Sequence, residues 1–230
     1  MYKKKPLFIT FEGIEGSGKS FQSKQLYKNL RRNKIFSLLT REPGGTNSAE
    51  KIRNVILNDY FHPKFKEKFN KYTDTLLYLA SRNEHVINKI KPAISKKKIV
   101  ICDRFIDSTI AYQAYGDGLP LKLVQEITRI SCQNLIPSLT FILDSDPSVS
   151  LSRIDSTSNK ITTRKNEKGK ERYEKRSIEF HNKVRSGYLE IAHTEPNRIH
   201  VLDATKPSNI LSDTILEIVL THLNSKNNNS

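Results

Sequence analysis

Residues 13 to 20 read Gly13-Ile14-Glu15-Gly16-Ser17-Gly18-Lys19-Ser20, after an apolar run from Leu7 to Phe11 and before a stretch of helical period. No other feature restricts the chain as much. Three glycines allow backbone conformations closed to other residues, so the loop's N–H groups can turn inward at a helix N-terminus, where the helix dipole also favours anions. A lysine at the seventh place reaches the outer phosphates of a nucleoside triphosphate, and the hydroxyl after it is placed to ligate magnesium. The loop from Gly13 to Ser20 is therefore expected to hold ATP with Mg2+, and Lys19 to act on the transferring group.

A loop of this kind belongs to a particular frame, and the rest of the chain supplies it. Apolar, β-rich runs recur at Leu7 to Phe11, Ile35 to Leu39, Ile99 to Cys102, Leu139 to Leu143 and Arg198 to Leu202. Helical stretches lie between them at Lys19 to Arg32, Ser48 to Leu57, Leu119 to Asn134, Glu171 to His193 and Pro207 to Leu223. Leu76, Leu79, Ala80, Asn83, Val86, Ile87 and Ile90 recur at three- and four-residue intervals and predict a long amphipathic helix with one apolar side. Near-continuous apolar strands alternating with helices predict an α/β, three-layer P-loop NTPase fold, with a five-stranded parallel sheet covered by helices on both faces. One kinase-sized domain over 1–223 is expected. A polar, aperiodic stretch over about 154–171 reads as a mobile lid, and 224–230 as a disordered tail.

Composition excludes several classes. Two cysteines, Cys102 and Cys132, are too few for a disulfide scaffold, and no apolar run approaches the roughly 20 residues that cross a bilayer, so a cytoplasmic protein without membrane attachment is expected. The formal charge of +15 invites a nucleic-acid reading. That charge is scattered along the chain with no aromatic stacking motif beside it, so no nucleic-acid partner is expected.

Ile99-Val100-Ile101-Cys102-Asp103 ends an apolar strand in a carboxylate, which puts Asp103 beside Ser20 as the second magnesium ligand. Taken alone, such an Asp is more often a cap or turn residue. No Asn-Lys-x-Asp segment for guanine is present, and Asp103 is followed by Arg104 rather than by a second acid. A cation there suits an anionic acceptor.

The segments Phe11-Glu12-Gly13-Ile14-Glu15-Gly16, Thr40-Arg41-Glu42-Pro43-Gly44-Gly45-Thr46, Asp103-Arg104-Phe105 and Ala111-Tyr112-Gln113 together resemble bacterial thymidylate kinases over nearly the whole chain. The resemblance implies transfer of the γ-phosphoryl group of ATP to dTMP, and a homodimer. It implies that Glu15 holds the 3′-hydroxyl of dTMP, that Arg82 contacts the thymine ring and that Tyr78 stacks on it. It implies further that Arg104 grips the acceptor phosphate with help from Arg41, that Ser108 and Thr109 contact phosphate and base, and that Tyr112 crowds out a 2′-hydroxyl with Gln113 in support. Bacterial members without an arginine in the phosphate loop supply one from the lid, where Arg153, Arg164 and Arg172 are the candidates. An acceptor phosphate is mostly dianionic at neutral pH, so no general base is needed. Three other readings stay open at this point: a kinase for a different nucleotide or nucleoside, such as another pyrimidine monophosphate, against which Arg82 and Tyr112 argue; a basic nucleic-acid-dependent ATPase; and a regulatory module that binds nucleotide without turnover.

Overall fold

A computed structural model describes residues 7–57, 69–158, 171–174 and 176–225. Its five strands are β1 (Phe8–Glu12), β2 (Ser37–Arg41), β3 (Ile99–Asp103), β4 (Leu139–Asp144) and β5 (Ile199–Asp203). They form one parallel sheet in the order β2-β3-β1-β4-β5. Side chains alternate across a strand, so each strand feeds two cores. Leu7, Ile9 and Phe11 pack with Leu26, Leu30, Ile215 and Val219 from α1 (Lys19–Arg32) and α10 (Ser208–Ser225) on one face. Phe8, Val100 and Cys102 pack with Val86, Ile90 and Phe105 on the other. In a five-stranded sheet the order reverses beside β1, and Phe11 pairs with Asp103 while Arg41 pairs with the same Asp103. The carboxyl ends of β1, β2 and β3 therefore meet where ligands bind in open α/β sheets.

The expected elements are present, with instructive differences at their edges. The long amphipathic helix is α3 (Lys71–His85), a π-helical turn (Val86–Ile90) and α4 (Lys91–Ser95). Its predicted apolar stripe is only partly the buried side: Leu79, Val86 and Ile90 are buried, whereas Leu76 and Ile87 are 58% and 41% exposed and Asp74, Thr75, Ser81, Arg82 and His85 are buried instead. Polar groups turn inward around Arg82, which borders a cavity, and apolar ones at Val86 and Ile90, which pack on the sheet. The single helix expected over Glu171 to His193 is two, α8 (Glu171–Glu174) and α9 (Ile178–Thr194), because the Ser177 hydroxyl caps the second by accepting from the Phe180 N–H at 3.2 Å. The helix expected over Leu119 to Asn134 is shorter, α6 (Leu121–Ser131), ended by left-handed Gln133 and Asn134.

Three elements were not anticipated as helices in full. Asn47 extends α2 (Asn47–Leu57) by one residue. A helical segment made of α5 (Ile106–Thr109) and a second π-helical turn (Ile110–Gly116) follows β3. Helix α7 (Pro147–Ser158) runs into the stretch expected to be aperiodic from residue 154; Asp146 starts it by accepting from the Ser148 N–H at 2.8 Å. Glu171 at the end of the expected lid opens α8, and Asn224 and Ser225 of the expected tail close α10; residues 159–170, the first six residues and residues 226–230 lie outside the described residues.

Candidate active site

The phosphate loop owes its shape to the glycines. Gly13, Gly16 and Gly18 take φ values of +134°, +74° and +94°. At Gly16 a Cβ would stand 1.9 Å from the Ser150 carbonyl oxygen, so α7 lies directly against the loop and only glycine fits between them. Lys19 is buried and its ammonium donates to the Ile14 carbonyl at 2.6 Å and to the Ser17 hydroxyl at 3.4 Å. Burial and the nearby Arg104 outweigh Glu15, Asp103 and Glu12 and bring the Lys19 ammonium down to about 8. A polyphosphate in the loop adds the negative charge that favours the ammonium form.

Ser20 at the start of α1 donates its hydroxyl to the Asp103 carboxylate across 83 residues of chain. A hydroxyl and one carboxylate, side by side at the mouth of a phosphate loop, are hard oxygen donors of the kind magnesium takes together with phosphate oxygens and water. The donor set fits that ion, and among the described residues no cluster of His, Cys, Asp and Glu competes for another metal.

Arg104 is the hub of the acceptor side. Its backbone is left-handed, φ +69°, a conformation that costs a non-glycine residue roughly 1 kcal/mol or more. The Arg104 N–H donates to the Phe11 carbonyl at 2.9 Å, which pins this turn to the end of β1. Its guanidinium donates to Glu15 Oε1 at 2.8 Å, to the Gly13 carbonyl at 3.1 Å, and to the hydroxyls of Ser108, Tyr188 and Tyr112 at 3.2 to 3.3 Å. Tyr112 donates its hydroxyl to Glu15 Oε2 at 2.5 Å. Burial pushes the Glu15 carboxyl up, but Arg104, Lys19 and the Tyr112 hydrogen bond hold it below the usual range, so Glu15 is an anion. Beneath this group sits Glu12, fully buried, accepting from the Phe105 N–H at 2.7 Å, Ser108 at 2.5 Å and Tyr188 at 3.1 Å.

The run Thr40 to Thr46 is explained by what it covers. Glu42 accepts from Arg82 Nε at 2.7 Å and faces His85 Nδ1 at 3.0 Å, while His85 Nε2 meets the Thr40 hydroxyl at 2.7 Å. Arg82 also donates to the Thr109 hydroxyl at 2.8 Å and the Phe105 carbonyl at 2.9 Å. Gly45, at φ +97°, lies so close that a Cβ would stand 2.5 Å from His85, and the Gly44 N–H donates to Ser81 at 3.1 Å. Two glycines there let the loop lie on α3. Arg41, half-exposed, pairs with Glu50 at 3.0 Å.

These groups line one cleft of about 1030 Å³. It brings together Glu15, Gly16, Lys19, Ser20, Arg41, Tyr78, Arg82, Asp103, Arg104, Ser108, Thr109, Tyr112 and Gln113, all singled out from the sequence. Gly13, Ile14, Ser17 and Gly18 complete the loop. Arg153 is not among the lining residues; its charge acts on Asp203, and Ile154 faces the cleft instead. Arg164 lies outside the described residues, and Arg172 is described only as part of the α8 backbone. Missed from the sequence were Glu12, Glu42, His85 and Tyr188, whose partners are 40 to 176 residues away. Tyr173 was missed as well: its ring stands 4.8 Å from Tyr112 and 6.4 Å from Tyr78, and its hydroxyl accepts from Gln113 at 3.1 Å.

A phosphate loop, a hydroxyl–carboxylate pair at its mouth and an arginine–carboxylate pair in one cleft agree with the comparison to known proteins, in which the thymidylate kinase family model matches residues 11–215. The chain belongs to the thymidylate kinase family. Thymidylate kinase from Clostridium novyi (strain NT) is 42% identical over 203 residues, which cover 88% of this chain and 93% of that one. Thymidylate kinase from Wolbachia pipientis wMel is 42% identical over 215 residues, 92% of this chain and 98% of its own. The crystal structure of thymidylate kinase from Ehrlichia chaffeensis matches with a TM-score of 0.68 and 34% identity, covering 93% of this chain and 98% of that one. The four segments that resembled thymidylate kinases in the sequence all lie within or at the edge of the cleft that the fold assembles.

Proposed function

We infer that this protein is a dTMP kinase, transferring the γ-phosphoryl group of ATP to dTMP to give ADP and dTDP. The observation that carries the reading is the Arg104–Glu15 pair at 2.8 Å, which stands beside the phosphate loop in the same cleft. A guanidinium there suits an acceptor phosphate, because its planar fork takes two oxygens at once. A carboxylate so near phosphates would repel them, so Glu15 suits a hydroxyl, the 3′-hydroxyl of the sugar. Arg82, held by Glu42, faces the base; Tyr78 stacks on it; Tyr112 leaves no room for a 2′-hydroxyl; Gln113 keeps Tyr173 in line. Arg41, Ser108 and Thr109 support the phosphate and base.

The acceptor phosphate is already mostly dianionic, so the chain's task is alignment and charge neutralisation. Lys19 and the loop N–H groups hold the β and γ phosphates, Arg104 holds the acceptor, and a cation from the lid flank, Arg172 or Arg153, neutralises the transferring group. Magnesium, held by Ser20 and Asp103, would supply further neutralisation of the phosphate charge.

The same reading includes a homodimer, dTMP rather than nucleic acid as partner, and a cytoplasmic setting. Support for the dimer is the exposed side of α3, where Tyr72, Leu76, Ala80 and Ile87 follow one stripe and Asn83 donates to the Ser131 carbonyl beside Ile130, itself 63% exposed. Among the described residues no helix is long and apolar enough to cross a membrane. The deciding experiment is a coupled ADP-release assay over dTMP, dUMP, UMP, CMP, AMP and GMP. ADP release that depends on dTMP above the others supports the reading; release without any acceptor, or stimulated by DNA, overturns it.

A further inference from the structure

One buried group beside Glu15 has no part in the reaction as drawn so far. His181 on α9 is completely buried, and neither of its ring nitrogens makes a well-formed side-chain hydrogen bond, although the Tyr173 backbone lies close enough to act on the imidazole. Buried polar groups are nearly always paired, so an unmet imidazole calls for a reason. Its Nδ1 lies 3.7 Å from Glu15 Oε2, just outside hydrogen-bonding distance. The ring of Phe180 stands edge-on at 5.6 Å, and the Tyr173 backbone with the charges of Arg176 and Arg104 completes its surroundings. Burial lowers the imidazole below its ordinary value, against the Glu15 charge and the Tyr173 backbone, which raise it, and the neutral ring has one N–H to give.

Glu15, by contrast, is fully engaged. Arg104 donates to one of its oxygens and Tyr112 to the other. Yet Arg104 is also the cation that suits the acceptor phosphate, and a dianionic phosphate competes for the same guanidinium. The moment the acceptor binds, Glu15 exchanges its strongest partner for a sugar hydroxyl, and a buried carboxylate short of donors is costly. A neutral donor within reach supplies the deficit without adding charge beside the phosphates.

We propose that His181 is a positioning residue for Glu15: as Arg104 turns to the acceptor phosphate, the His181 Nδ1–H donates to Glu15 Oε2 and holds the carboxylate where it accepts the sugar 3′-hydroxyl. The inference rests on the roles given to Glu15 and Arg104 under the proposed function. It also accounts for the unmet Nδ1, since Glu15 turns to it only when substrate draws Arg104 away. A merely structural histidine would instead show itself in stability, equally for every acceptor.

The test compares dTMP with 3′-deoxy-dTMP in steady-state kinetics of the full chain, for wild type, His181→Phe and His181→Asn. The expected result is that His181→Phe raises KM for dTMP roughly tenfold, the worth of one hydrogen bond to a charged group, and leaves KM for 3′-deoxy-dTMP unchanged. His181→Asn, which keeps a donor near the Nδ1 position, returns KM for dTMP to within about threefold of wild type. Should the phenylalanine not pack, His181→Leu is read in the same comparison. If wild type prefers dTMP and the apolar variants keep that full preference, the His181 inference is overturned while the Glu15 reading stands. If wild type itself treats the two acceptors alike, Glu15 does not read the 3′-hydroxyl, and both fall.

Discussion

Replacing Glu42 by Gln keeps the shape of the side chain and removes its charge, which leaves the Arg82 guanidinium buried with no counter-ion. Both side chains are almost sealed from water, at 5% and 3% exposure, and they meet at 2.7 Å. The 0–1 kcal/mol typical of exposed ion pairs therefore does not apply; breaking a buried pair by one partner costs about 3–5 kcal/mol. Taking a urea slope of about 3 kcal/mol/M for a chain of this size, the unfolding midpoint should drop by roughly 1–1.7 M. The pH dependence has a definite sign. Burial pushes the Glu42 carboxyl up, but Arg82 and His85 more than reverse this and hold it below its ordinary 4.5. A depressed carboxyl contributes stability that is present above its unfolded value and lost as pH falls through its folded value. Wild type should thus lose stability below about pH 4.5 more steeply than Glu42→Gln. Urea unfolding followed by circular dichroism at several pH values, with the double variant Glu42→Gln/Arg82→Met closing a cycle, measures both effects. An unfolding midpoint for Glu42→Gln within about 0.2 M of wild type would refute the claim that this pair fastens the Thr40–Thr46 run to α3.

Three further outcomes follow from the same geometry. Gly16→Ala puts a methyl group 1.9 Å from the Ser150 carbonyl at φ +74°, so it should displace the phosphate loop from α7 and raise KM for ATP at least about tenfold, read in the coupled ADP assay. Lys19→Met removes the buried ammonium of the loop and should lower turnover by about 10² to 10³ with little change in the thermal midpoint; unchanged turnover would detach Lys19 from the transfer. Burial and Asp107 push the Glu12 carboxyl up to about 7, and a raised carboxyl gives stability that is whole below its unfolded value near 4.5 and lost as pH rises through 7. Glu12→Gln should therefore flatten the fall in urea midpoint between pH 5 and pH 8, and an unaltered slope would show that Glu12 is not the group that titrates.

Much of the architecture was legible because it is written locally. The apolar strands, the glycine-rich loop and the helix from Lys19 to Arg32 each declare themselves within a dozen residues, and all five strands lie within one or two residues of their expected bounds. Helix edges were less legible where a cap competes with periodicity, as at Ser177. The start of α7 at Asp146-Pro147 is a capping signal that periodicity alone passes over. The apolar stripe of α3 misled in part for another reason: period reports that a helix has two sides, yet only Leu79, Val86 and Ile90 of the stripe face the protein while Leu76 and Ile87 do not.

The residues alone announce the chemistry at hand: a phosphate cradle, a carboxylate at the end of β3, an arginine after it and a set of aromatic residues downstream. Which groups act on one another emerges only in the folded chain. Ser20 meets Asp103, Arg104 meets Glu15, and Glu42 meets Arg82 across 40 to 89 residues of chain. His181 comes within 3.7 Å of Glu15 without closing a bond. The reason is physical. A charged side chain states its preferences in the sequence, but its pKa, its partner and its freedom to move are set by burial and distance, and a parallel sheet brings together ends of strands that are far apart along the chain.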